Sequence, residues 1–201
     1  MAVVQELKVL AMGKTLKILG FVGSLRKGSY NKALMRTAMK LLPEGVTLEV
    51  FELGKIPPFN QDFQSEPPKV VKELKAEIRA ADAILIASPE YNYSIPGVLK
   101  NAIDWASRPL SENPFDGKPV AVMSASTGRL GGARMQYHLR QVFVFLNMYP
   151  INRPEFMLSN AADYFDEDGN LTDEETRRRV QDLIKALAEW TLKPKEKPKQ
   201  P

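Results

Sequence analysis

The sequence predicts a single α/β domain built as a doubly wound three-layer sandwich, and three observations predict it. Apolar runs of strand length alternate with helical patterns along the whole chain. Several of those runs, "ADAILIAS" among them, are continuously apolar, as central parallel strands covered on both faces must be. The 201 residues hold no internal repeat and no second domain, and a chain of that length buries about 70% of its unfolded surface. Five βα units in a row imply a parallel sheet with right-handed crossovers and helices on both faces.

Strands are expected at Leu16–Val22, Thr47–Phe51, Ala83–Ser88, Pro119–Ser124 and Pro150–Met157. Helices are expected at Asn31–Leu42, Lys69–Ala81, Ile95–Ser107, Gly132–Asn147 and Asp173–Trp190. Each helix carries the 3.6-residue period: Val70, Leu74 and Ile78 share a face, as do Val180, Leu183, Ile184 and Leu187. Ser94 is placed to cap the helix that holds Pro96 in its first turn. Thr172 and Glu175 have capping-box spacing before the last helix. The domain is read as residues 15–192, preceded by an extension at 1–14 and followed by a basic tail at 193–201.

Composition removes several chemistries. With no cysteine, thiol catalysis, disulfides and thiolate metal sites are excluded. The single histidine, His138, cannot build a zinc site alone, and no G-x-S-x-G elbow accompanies it. A structural or interface role suits it better. The net charge of +4 is concentrated at the end: "TLKPKEKPKQP" holds four lysines against one glutamate, so residues 1–190 carry only +1. The body is not a nucleic-acid-binding surface, and the tail reads as a solvated end. No run reaches the roughly 18 apolar residues of a membrane span, and Glu6 and Lys8 interrupt the first segment, which has no signal-peptide pattern. A cytoplasmic protein is expected.

In an open α/β sheet, ligands bind beyond the carboxyl ends of the strands where the winding reverses. For strand order 2-1-3-4-5 that point lies between the first and third strands. The loops leaving them, "GSLRKGSYN" and "SPEYNYSIPG", are the most unusual in the chain. The first has the chemistry of a phosphate cradle. Gly23 and Gly28 allow a tight backbone, Ser24, Ser29 and Asn31 offer polar groups, and the next helix presents free N–H groups. Arg26 adds a charged donor. The loop is neither a Walker motif nor G-x-G-x-x-G. The second loop suits a flat heterocycle: Pro89 and Pro96 stiffen its ends, and Glu90, Tyr91, Asn92 and Tyr93 crowd its middle. A third loop, "SASTGRLGG" from Ser124 to Gly132, is placed to complete the wall. The acidic run "YFDEDGNLTDEE" sets Asp166, Asp168, Gly169 and Glu175 at calcium-loop spacing. Tyr164 stands where the first carboxylate is required, however, so calcium is not expected.

The stretches "GSLRKGSYN", "PEYNYSIPGVLKNAIDWASRP" and "GGARMQYHLRQ", in that order, resemble the NAD(P)H-dependent FMN reductase family, and within it the quinone and chromate reductase branch. The resemblance covers roughly Lys17 to Met157 and implies a flavodoxin-like fold with non-covalent FMN. By motif, Ser24, Arg26, Ser29 and Asn31, in a loop that also holds Leu25, Gly28 and Tyr30, would hold the FMN phosphate. Pro89, Glu90, Tyr91 and Asn92 would lie along the isoalloxazine ring. Ser124, Ala125 and Ser126, with Gly128, would close the site, Ala125 through its backbone. The implied activity is transfer of hydride from NADH or NADPH through flavin N5 to quinones or to chromate, ferric complexes or azo compounds. No side chain then has to act as nucleophile or base, because the cofactor supplies the redox chemistry. The resemblance further implies a homodimer or homotetramer, with Arg134, Tyr137 and His138 at the interface. Two other readings stand beside this one: a flavodoxin-type electron carrier without its own NAD(P)H turnover, and a module that binds some other phosphate-bearing ligand.

Overall fold

In the computed structural model, residues 15–193 are described. The N-terminal extension and all of the basic tail beyond Lys193 lie outside the described residues. Six strands, β1 (Leu16–Val22), β2 (Val46–Phe51), β3 (Ala83–Ala87), β4 (Pro119–Ala125), β5 (Tyr149–Pro150) and β6 (Phe156–Leu158), form one parallel sheet. Its order is β2-β1-β3-β4-β5, with β6 also on β4. The helices are α1 (Tyr30–Lys40), α2 (Lys69–Ala80), α3 (Gly97–Ala106), α4 (Ala133–Phe145) and α5 (Glu174–Leu192).

The three layers follow from the two-residue period of the strands. Ile18, Leu85 and Met123 face α1 and α5, meeting Leu34, Ala38, Leu183 and Leu187. Their neighbours Leu19, Ile84 and Val122 face α2, α3 and α4, meeting Leu74, Ile78, Leu99 and Leu139. Because both faces are covered, neither set of positions tolerates a polar residue, and β3 is buried at every position. The order is the one expected, and with it the reversal between β1 and β3.

The sequence reading needs three corrections. The fifth strand, expected as one run over Pro150–Met157, is broken. Tyr149–Pro150 pairs with Pro119–Val120, and Phe156–Leu158 pairs with Met123–Ala125, on the same edge of β4. Pro154 has no N–H to give the ladder, so the chain swings away. There Arg140 gathers it, donating to the Ile151 carbonyl and the Asn152 side chain, each at 3.1 Å. Ser94 does not cap α3; that helix starts after Pro96, since residues before a proline are held extended. Thr172 does not cap α5 either. It donates to the Tyr164 carbonyl at 3.1 Å, while Asp173 accepts from the Thr176 N–H at 2.6 Å. The acidic run before it is a tight turn: Gly169 has φ +74°, and the Asp166 carboxylate accepts from the Asn170 N–H at 2.7 Å. Among the described residues, no helix is long and apolar enough to cross a membrane.

Candidate functional site

The loops that leave β1, β3 and β4, called the first, third and fourth, are fastened to one another before any ligand is considered. The Gly23 N–H donates to the Ala87 carbonyl at 2.9 Å. A Cβ on Gly23 would stand 2.2 Å from the Ser88 hydroxyl oxygen, so only glycine lets the first loop pass the third this closely. The glycine therefore serves contact between the loops rather than a tight turn. Asn31 makes the second fastening. Its side-chain amide donates to the Ala125 carbonyl and accepts from the Ala125 N–H, both at 2.9 Å, across 94 residues of sequence. Asn31 is buried.

The first loop then offers a set of donors. Ser29 caps α1, accepting from the Lys32 N–H at 3.4 Å, which leaves the N–H groups of Tyr30 and Asn31 at the open end of the helix. The Ser24 residue is 3% exposed, and among the described residues its hydroxyl has no hydrogen-bond partner. The Arg26 guanidinium, exposed, likewise has no hydrogen-bond or ion-pair partner among the described residues. A Cβ on Gly28 would meet nothing within 4 Å, so the space above the loop is open. Helix N–H groups, a hydroxyl, a guanidinium and free space suit a compact dianion.

The third loop is a two-residue hairpin. Tyr91 and Ser94 exchange backbone hydrogen bonds of 3.1 and 2.9 Å, and the residues between them have positive φ, 49° at Asn92 and 66° at Tyr93. Asparagine accepts that conformation readily; an aromatic residue does so at a cost, of the kind structures keep at working sites. What holds Tyr93 is Arg134, whose guanidinium carbon lies 3.4 Å from the ring centroid. Arg134 is held in turn by Glu90 through a salt bridge and an Nε hydrogen bond of 2.5 Å. The same carboxylate accepts from the N–H groups of Arg134 and Met135, at 3.0 and 3.3 Å. Gly132 has no side chain to cap α4, so Glu90 caps it from another loop. The hydrogen bond to Glu90 raises the Arg134 pKa further above its already high ordinary value.

The fourth loop is fixed from below. Ser124, fully buried, donates to the Gly131 carbonyl at 2.5 Å and accepts from Gln136 at 2.7 Å. Ser126 is half-buried and accepts from the Gly128 N–H at 3.1 Å. Between the third and fourth loops lies a crevice of about 360 Å³, with Asn92, Tyr93, Ser126, Gly128 and Arg134 in its walls.

The expected residues thus divide. Ser24, Arg26, Gly28 and Ser29 gather at one end, and Asn92, Ser126 and Gly128 line the crevice; Pro89, half-buried, and Tyr91, exposed, sit beside it. Others face elsewhere. The Tyr30 ring packs on Phe165 at 5.2 Å, and the exposed Leu25 side chain lies toward Gly54 on the β2 side. Asn31, Ser124, Ala125 and Glu90 have polar groups taken up in fastening the loops, and Glu90 lines the crevice as well. Sequence reasoning missed Arg134 as a member of the crevice and Ser94 as the partner of His138, whose Nδ1 is 3.0 Å from the Ser94 hydroxyl. One signal for Arg134 was available: a helix opening on Gly-Gly-Ala has no side chain of its own to cap it.

Residues 16–163 match the family described as NADPH-dependent FMN reductase. The chain is 51% identical over 180 residues to an NAD(P)H-dependent FMN reductase of Pseudomonas aeruginosa, covering 89% of this chain and 97% of that one. It is 46% identical over 195 residues to an NAD(P)H:quinone oxidoreductase of Solanum tuberosum, covering 94% and 99%. Among solved structures, FerB of Paracoccus denitrificans, described as a flavoenzyme NAD(P)H:(acceptor) oxidoreductase, superposes with a TM-score of 0.81. The two are 36% identical, over 88% of this chain and 97% of FerB.

Proposed function

The chain belongs to the NADPH-dependent FMN reductase family, and from that premise we propose that it is an FMN-dependent oxidoreductase carrying hydride from NAD(P)H to quinones. The bound flavin supplies two-electron redox chemistry. The chain's own residues bind it, orient it and give the second substrate a surface. Ser24, Arg26, Ser29 and the first N–H groups of α1 hold the phosphate. Asn92, Tyr93, Ser126 and Gly128 line the ring's crevice, with Pro89 and Tyr91 beside it. The observation that carries this reading is the donor set at the start of α1: a guanidinium and a nearly buried hydroxyl, both without a protein partner among the described residues, beside open space at Gly28.

Chromate, ferric complexes and azo compounds are proposed as further acceptors of the same reduced site, and cytoplasm as its location. A homodimer or homotetramer is proposed from the exposed apolar residues of α4, where Val144 is 82% and Phe145 64% exposed. A carrier without turnover is the alternative, but the near-neutral body and the arginine in the phosphate loop favour the enzyme. The deciding experiment is a visible spectrum of FMN-loaded protein, followed by anaerobic addition of NADH and NADPH and then a quinone. Bleaching by a nicotinamide and recovery with the quinone is expected. A yellow protein that neither nicotinamide bleaches would be a carrier.

A further inference from the structure

A second cavity, about 560 Å³, lies beside the phosphate loop and shares only Ser24 with the residues assigned to the flavin above. Its place follows from topology. At the carboxyl edge of the sheet the loops stand in the order β2, β1, β3, β4. The ring crevice belongs to the β3 and β4 loops, and this cavity to the β2 and β1 loops.

One wall is a stripe of α1, with Lys32, Met35, Arg36 and Met39 at helical spacing, and the other is Val50 with the turn that ends at Lys55. Gly20 of β1 leaves room for the Met35 and Val50 side chains, which a Cβ there would meet at 3.1 and 3.2 Å. Three large apolar side chains around the cavity are open to solvent, Leu25 at 57%, Met39 at 45% and Val50 at 42%. Three cations, Lys32, Arg36 and Lys55, line it against one anion, Glu52. Among the described residues, Lys32 and Arg36 are engaged only by neutral carbonyls, those of Leu25 and Gly169, and Lys55 only by the exposed Glu52. The cavity therefore keeps a net positive rim over an apolar, methionine-rich surface. Ser24, nearly buried and without a protein partner among the described residues, opens on it as well. An apolar slot with a few convergent charges is the make-up of a small-molecule site, and flexible thioethers shape themselves to a flat ring.

We propose that this cavity receives the adenosine 2′-phosphate half of NADPH, the adenine against Leu25, Met39 and Val50 and the 2′-phosphate facing Arg36 and Lys55. The inference rests on the flavin reading, since the nicotinamide must reach the ring crevice. That crevice lies about two strand spacings away, roughly 10 Å, which a dinucleotide spans. The path crosses the exposed Lys27 of the first loop, where a pyrophosphate finds positive charge. The site would thus select NADPH over NADH.

The test uses the FMN-loaded full chain with methyl-labelled methionines, and adenosine 2′,5′-bisphosphate as the probe. The methyl resonance of the exposed Met39 is expected to move while those of the buried Met123 and Met135 stay. In steady state, Arg36→Ala and Lys55→Ala are each expected to raise the KM for NADPH about tenfold, the worth of one charge-assisted hydrogen bond, with NADH turnover, flavin spectrum and Tm unchanged. An unmoved Met39, or equal losses with both nicotinamides, would overturn the proposal. The flavin reading fails separately: a protein that stays colourless with FMN while Met39 still shifts would sink that reading and leave the adenylate site standing.

Discussion

Replacing Asn31 with leucine tests whether this residue supports the site or touches the phosphate. The side-chain amide is buried, and both of its bonds go to the Ala125 backbone at 2.9 Å. Leucine fills the same space but leaves a buried N–H and a buried C=O without partners, at about 1–3 kcal/mol each. Partial relaxation brings the expected loss to about 3 kcal/mol, a fall of roughly 6–12 °C in Tm for a chain of this size. Arg26→Ala is the counterpart. Its guanidinium has no partner among the described residues, so apo stability should stay within about 0.5 kcal/mol. FMN affinity should drop by roughly 10- to 150-fold, the worth of one charge-assisted hydrogen bond. Urea unfolding of the flavin-free proteins gives the first quantity free of ligand linkage, and quenching of flavin fluorescence on titration gives the second. An Asn31→Leu protein as stable as the parent, but weak for FMN, would refute the assignment of Asn31 as a support.

Gly28→Ala should leave stability unchanged or raise it by about 0.5 kcal/mol, since a methyl there meets no protein atom, yet weaken FMN by intruding on its space; calorimetry and flavin titration read the two effects. Gly132→Ala should destabilise by about 2 kcal/mol, because φ is +90° and the new Cβ would stand 2.8 Å from Ser124, which urea denaturation will measure. Glu90→Ala should cost about 1–2 kcal/mol through the lost cap of α4, with Glu90→Gln recovering part of it in the same thermal melt. The pH profile of stability should fall on the acid side. Asp173 is held below its ordinary pKa first by the Thr176 hydroxyl and then by the Thr176 N–H, and Asp166 by the Asn170 N–H and side chain. Carboxylates with lowered pKa stabilise the fold above about pH 4 and lose that contribution as pH drops through the folded value. Asp173→Asn, which keeps a capping oxygen but does not titrate, should flatten that limb in acid melts. Lys17 acts at the other end: its pKa is raised, first by Glu49 and then by Glu77, so its contribution is lost only as pH climbs past the ordinary lysine range.

Most of the fold was legible because it depends on periodicity, which local sequence carries in full. The alternation that sends Ile18 to one layer and Leu19 to the other, and the stripe Val180, Leu183, Ile184 and Leu187, can be read without any partner in view. The two cap misreadings share one cause, a choice among polar residues that only tertiary contact decides. Thr172 and Asp173 both suit a helix cap. The Tyr164 carbonyl claims the threonine and leaves the cap to the aspartate. Ser94 was read as a cap because Pro96 followed, but the hairpin it closes and the imidazole of His138 on α4 claim it instead. The split fifth strand is a different case, since Pro154 breaks a run that the apolar pattern alone would join.

The site was legible at the level of loops and not of atoms, for a physical reason. Sequence reveals which residue types are costly to keep in a loop, and it therefore found the glycines, the arginine, the prolines and the tyrosines. It does not reveal whether a polar side chain spends its hydrogen bonds on a ligand or on another loop. Asn31, Glu90 and Ser124 look like ligand groups in a string of letters, yet each ties two distant segments together. The ties have a direction: Asn31 joins the first loop to the fourth, Glu90 the third to the fourth, and Gly23 against Ser88 the first to the third. Three loops fastened pairwise form a rigid ring, so a cofactor held as proposed at Arg26 would find the wall at Tyr93 already set, with little ordering cost left for binding to meet. That also explains why a tyrosine is kept at φ +66°: the strain is offset by Arg134 and Glu90 before any ligand arrives. Loosening one tie should therefore weaken flavin binding even where no ligand atom is touched, whereas removing Arg26 should weaken it with every tie intact.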